Sequence, residues 1–79
     1  MTRRDKLLDA AWNHPTGLRF ADFATLLARC GWVLDRQGGS HRVWYSPQGA
    51  RLPVQEGQAG KAKPYQVRQF LTIYQRENP

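Results

Sequence analysis

A histidine follows two glycines in the run Gly38-Gly39-Ser40-His41-Arg42-Val43-Trp44-Tyr45. Histidine both takes and gives a proton near neutral pH. Arg36, Arg42 and Arg51 flank it in sequence, and Lys61 and Lys63 follow across a loop. Cleaving RNA without a metal needs a base for the 2′-hydroxyl and positive charge for the phosphorane-like transition state. His41 ringed by cations supplies those parts. Gly39 lets the backbone approach a ligand closely, so Gly39, Ser40, Arg42, Lys61 and Lys63 are the candidate RNA contacts. Taken as residue types alone, a lone histidine at the start of a strand is more often an ordinary polar residue or a hydrogen-bonded turn element.

The composition supports an anionic partner. Twelve Lys and Arg stand against six Asp and Glu, a formal charge of +6. Arginines far outnumber lysines, and the guanidinium fork binds two phosphate oxygens at once. RNA, DNA, a membrane surface or an acidic protein would each meet such a charge. The single cysteine, Cys30, excludes an internal disulfide and a cysteine-rich metal site. It sits at apolar helical spacing, as a buried thiol does. No apolar run is long enough to span a bilayer, and the start, Met1 to Lys6, lacks a signal-peptide core. A cytoplasmic protein is the expectation.

These side chains need a scaffold, and 79 residues provide one domain, 1–79, with a thin core. Thr2 and Asp5 form a capping-box pattern for a first helix, with Leu8, Ala11 and Trp12 on its stripe and Leu7 beside them. His14-Pro15 ends it. A second helix spans about Ala21 to Cys30, with Phe20, Phe23, Leu27 and Cys30 on one stripe. Its N-cap is poor, and Gly31 suits the left-handed closing position. Three strands follow: Trp32 to Arg36, Ser40 to Tyr45 and Arg51 to Gln55. Gln37-Gly38-Gly39 is a turn signal, and Ser46-Pro47-Gln48-Gly49 reads as a type I turn. Pro53 lacks an N–H and marks an edge strand. Glu56 to Lys63 reads as a flexible loop, and Pro64 opens a last helix with Val67, Phe70, Leu71 and Tyr74 on its stripe. The fold class is α+β, order ααβββα, with the helices on one face of an antiparallel meander.

Gly39-Ser40-His41-Arg42-Val43-Trp44, followed by Pro47 and Gly49, resembles the signature of the HicA toxin family. Leu26-Leu27, Gly31-Trp32, Leu52-Pro53-Val54, Gly60-Lys61 and Val67-Arg68 with Leu71 extend the likeness over residues 20–75. The resemblance implies a fold like that of double-stranded-RNA-binding domains. It implies a metal-independent, cofactor-free endoribonuclease that cleaves mRNA with His41 as the catalytic residue. It further implies a HicB-like antitoxin that binds the toxin and covers that histidine. Two features depart from the family pattern. Gln55 stands where many relatives carry a further histidine, which removes one acid–base group. The first helix, within residues 1–15, is an addition to the family core.

Strand alternation puts Arg42 and Trp44 on one face and Val43 and Tyr45 on the other. With Val43 under the helices, Arg42 and Trp44 lie on the open face as antitoxin contacts. Lys61 and Lys63 precede a helix N-terminus, which favours anions. His14, at a helix end, is structural or faces solvent. The alternative to a ribonuclease toxin is a non-catalytic RNA- or DNA-binding module on the same fold, because fold does not fix function. A protein-interaction domain for an acidic partner is a third reading.

Overall fold

In a computed structural model the described residues are 2–39 and 41–79. The expected contact at Ser40 lies outside them. The element order is α1 (Arg3–Asn13), α2 (Phe20–Arg29), β1 (Val33–Gly38), β2 (His41–Tyr45), β3 (Arg51–Gln55), a short 3-10 turn (Gln58–Gly60) and α3 (Pro64–Glu77). The strands form one antiparallel sheet in the order β1-β2-β3, so the fold is α+β as the sequence implied.

Local chemistry sets the helix ends. The Asp5 N–H donates to Thr2 Oγ1 at 3.1 Å, and the Thr2 N–H donates back to Asp5 Oδ2 at 3.3 Å. The Thr2 backbone bond, then its side chain, holds the Asp5 carboxyl below its ordinary pKa. Such a depressed carboxylate adds stability above its unfolded-state pKa, and that share is lost as pH falls through the folded value. Thr2→Ala removes the hydroxyl that accepts the Asp5 N–H and is expected to cost about 1 kcal/mol, as loss of an N-cap does. Urea unfolding should show the loss.

Helix α2 starts at Arg19 with no side-chain cap. Its other end is closed by Gly31 at φ 84°. The Gly31 N–H donates to Ala28 O at 3.1 Å and the Trp32 N–H to Leu27 O at 3.0 Å. These two bonds are the Schellman pair, and only glycine adopts that left-handed position without strain. The type I turn also forms: the Gly49 N–H donates to Ser46 O at 2.9 Å. Pro53 lies on an edge strand, as its missing N–H requires.

The core is built from Phe20, Phe23, Leu26 and Leu27 of α2, Val67, Phe70 and Leu71 of α3, and Trp44, Leu52 and Val54 of the sheet. Phe70 is its aromatic hub, with ring centroids 5.8 Å from Phe23, 5.3 Å from Trp32 and 5.9 Å from Tyr74. Helix α1 adds Leu7 and Ala11, while Trp12 is 49% exposed. The seam of α1 thus runs through Leu7 and Ala11, four apart, and not through Trp12. Cys30 is half-buried, and desolvation pushes its thiol pKa up.

The sheet faces are the reverse of the sequence expectation. Trp44 is 6% exposed and packs in the core. Register explains this. Trp44 lies opposite Leu52, and Arg42 lies opposite Val54, both buried. Directly paired residues share a face. Arg42 and Trp44 therefore point toward the helices, and His41, Val43 and Tyr45 point to the open side.

Candidate functional site

His41 is the first residue of β2, and its side chain is exposed on the open face. The β1–β2 hairpin pairs it with Gly38. Gly39, next in the connection, has φ 59°, the left-handed conformation that a tight hairpin demands and glycine supplies. The turn sits later than the sequence suggested, because Gln37 and Gly38 are still in the strand.

Across the sheet, His41 pairs with Gln55 at the end of β3. Side chains so opposed start about 4.5–5.5 Å apart at their Cβ atoms. Gln55 is tied from two sides. Lys63 Nζ donates to its side-chain Oε1 at 3.1 Å, and its backbone N–H donates to Gln66 Oε1 at 3.0 Å. Gln66, only 7% exposed, also donates through Nε2 to the Tyr65 hydroxyl at 3.2 Å. The first turn of α3 thereby fixes the strand end facing His41. Gln66→Leu leaves the Gln55 N–H without its acceptor, at a cost of about 1–3 kcal/mol. Thermal melting should show that loss, and amide exchange at Gln55 should rise.

Gln66 carries no signal in the sequence. It reads as a polar residue beside an apolar stripe, and only the packed structure shows what it accepts.

Two further cations share the open face by register. Arg36 pairs with Val43, and Arg51 pairs with Tyr45. Asp35 has no partner in the ladder, because the register shifts between Leu34 and Arg36. That bulge twists β1 locally.

Arg42 lies elsewhere. Its guanidinium carbon sits 5.0 Å from the centroid of the Phe20 ring, a cation–π distance. Its Nε is buried without a hydrogen-bond partner, as is Trp44 Nε1. The expected open-face contacts at Arg42 and Trp44 are thus corrected. Arg42 covers the start of α2, and Trp44 fills the core.

Lys61 and Lys63 line an open groove of about 570 Å³ with Thr16, Gly57, Gln58 and Pro64. The loop that carries them is pinned, contrary to its expected flexibility. The Gly57 N–H donates to Lys61 O at 2.8 Å, and the Ala62 N–H donates to Leu18 O at 2.8 Å. Ala62 is buried. The groove's positive character comes from lysine more than from the helix end. Pro64 at N1 has no N–H, and the Gln66 N–H is spent on Lys63 O at 3.0 Å.

Among the described residues no three His, Cys, Asp or Glu side chains converge as metal ligands, and no helix is long and apolar enough to cross a membrane.

A family profile described as the HicA toxin of bacterial toxin–antitoxin systems matches residues 20–74. The chain belongs to the HicA toxin family. The match begins at the first residue of α2 and ends within α3. Helix α1 is outside it, yet contributes Leu7 and Ala11 to the core of this HicA-family chain. Membership gives the chain a role as a toxin and an antitoxin as its partner class. No curated protein and no solved structure gave a significant match.

Proposed function

We propose that this chain is a metal-independent endoribonuclease that cleaves mRNA in the cytoplasm and is silenced by a HicB-like antitoxin. The observation that carries the reading is the exposed His41 ring on an open sheet face, paired with Gln55 and through it with the Lys63 ammonium. An RNA backbone laid on that face meets an imidazole with positive charge at hand. Family membership supplies the toxin role independently of this geometry.

The chemistry is an in-line transesterification. The ribose 2′-oxygen attacks phosphorus, the P–O5′ bond breaks, and the electron pair leaves with the 5′-oxygen. The products are a 2′,3′-cyclic phosphate and a free 5′-hydroxyl. His41 either takes the 2′-hydroxyl proton or protonates the departing 5′-oxygen, and water carries the other transfer. Lys61 and Lys63, with Gly39 at the hairpin and its sequence neighbour Ser40, hold the backbone around the scissile phosphate. Arg42 belongs to this set only through its charge behind the sheet.

The antitoxin surface follows from the corrected faces. Exposed Val33 and Pro53 share the open face with Val43, Tyr45, Arg36 and Arg51. A HicB-like partner lying there buries apolar surface, pairs with the arginines and masks His41 in one contact.

Incubation of the purified protein with RNA, followed by end-group analysis, tests the reading. Cyclic 2′,3′-phosphate ends are expected as the first product, with cleavage persisting in chelator. Binding without cleavage would instead favour the non-catalytic nucleic-acid module.

A further inference from the structure

The geometry points to Gln55 as a second catalytic residue, a fixed hydrogen-bond donor to the non-bridging oxygen of the reacting phosphate, with Lys63 as the residue that orients it. This rests on the nuclease reading above.

The argument is one of donors and acceptors. Lys63 Nζ is bound to Gln55 Oε1 at 3.1 Å. An ammonium has donors and no lone pair, so it can donate only to the oxygen end of the amide. The amide's other branch therefore carries both N–H donors away from Lys63. Flipping the amide would aim an N–H₂ at an ammonium and leave both groups unpaired.

Position then matters. Gln55 stands directly opposite His41 in the β2–β3 ladder, on the same face. A phosphodiester near enough for the imidazole to serve its 2′- or 5′-oxygen lies within reach of the neighbouring amide. Charge accumulates on the non-bridging oxygens as the phosphorane-like state forms, and a preoriented N–H stabilises that state more than the ground state. The Lys63 bond polarises the amide and strengthens its N–H as a donor. The backbone tie from Gln55 to Gln66 holds the strand end in place and does not involve the Gln55 side chain.

An amide does not titrate, so Gln55 itself should add no limb to the wild-type pH–rate profile. The test is steady-state RNA cleavage across pH by the full chain and four variants, with folding checked by circular dichroism. Gln55→Ala and Gln55→Met should each lower kcat about 10²-fold with KM nearly unchanged. Gln55→His should add a second limb to the pH–rate profile. Lys63→Met, which removes the ammonium bound to Gln55 Oε1 and frees the amide to turn, should lower kcat about tenfold, beyond the KM increase that loss of a phosphate contact alone would give.

If the wild type cleaves and folded Gln55→Ala matches its kcat, the role of Gln55 is overturned and the nuclease reading stands. If the wild type does not cleave RNA, both fall together.

Discussion

Replacing His41 with alanine is expected to lower the RNA cleavage rate by about 10²–10⁴-fold, the range for removing a general acid or base. The fold should not change. His41 is exposed at a strand start, and surface substitutions away from caps and buried networks usually stay within about 0.5 kcal/mol. The substitution therefore separates chemistry from stability. Residual RNA binding is expected, because Lys61, Lys63, Arg36 and Arg51 remain. The checks are single-turnover cleavage of a defined RNA, the end groups of the fragments and a urea melt of each protein. Expression in a bacterial host offers a cellular counterpart: the wild type should arrest growth and His41→Ala should not. Equal cleavage by the two proteins would remove the imidazole from the chemistry.

Phe70→Ala should have the largest effect on stability. Phe70 is fully buried and touches three aromatic neighbours from α2, the α2–β1 junction and its own helix. Its ring meets that of Phe23 edge-on, at an interplanar angle of 81°, an arrangement favoured by the ring quadrupoles. Truncation removes the transfer free energy of the ring and leaves a cavity, about 3–5 kcal/mol in all. Native domains hold about 0.05–0.15 kcal/mol per residue, so a chain of 79 residues can lose most of its stability at this one position. Urea denaturation should show a sharply lowered midpoint with a similar slope. The variant should also lose RNA cleavage and toxicity, yet through unfolding, which distinguishes it from His41→Ala. An antitoxin that binds only the folded toxin would restore part of the stability by mass action. An unfolding free energy within about 1 kcal/mol of the wild type would mean that the core closes over the gap, against the rigid packing expected of protein interiors.

The α3 and α2 stripes were legible because their apolar residues repeat at helical spacing, and the structure buries Phe23, Leu27, Val67, Phe70 and Leu71. The α1 stripe was read one residue off. Leu7, Leu8, Ala11 and Trp12 fit two adjacent seams, and only contact with α2 and α3 selects Leu7 and Ala11. The loop before α3 looked flexible from its glycines and small residues. Its order comes from backbone bonds to Leu18 and within the turn, and such bonds leave no side-chain trace.

What the sequence determined by itself is the set of elements, their ends and their order. Capping by Thr2 and Asp5, closure at Gly31, the turn at Pro47 and the edge position of Pro53 are local chemistry, settled within a few residues. It also marked His41, by type and by the glycines before it. The tertiary structure decided which side of the sheet faces the helices. Strand β2 carries bulky residues on both faces, so alternation alone yields two equivalent solutions. Pairing with β3 breaks the tie, since Leu52 and Val54 can be buried more cheaply than Arg51, Pro53 and Gln55. That choice turned Trp44 inward and Tyr45 outward, and it set Gln55, distant in the chain from the glycine turn, opposite the histidine, with Lys63 and Gln66 bonded to Gln55.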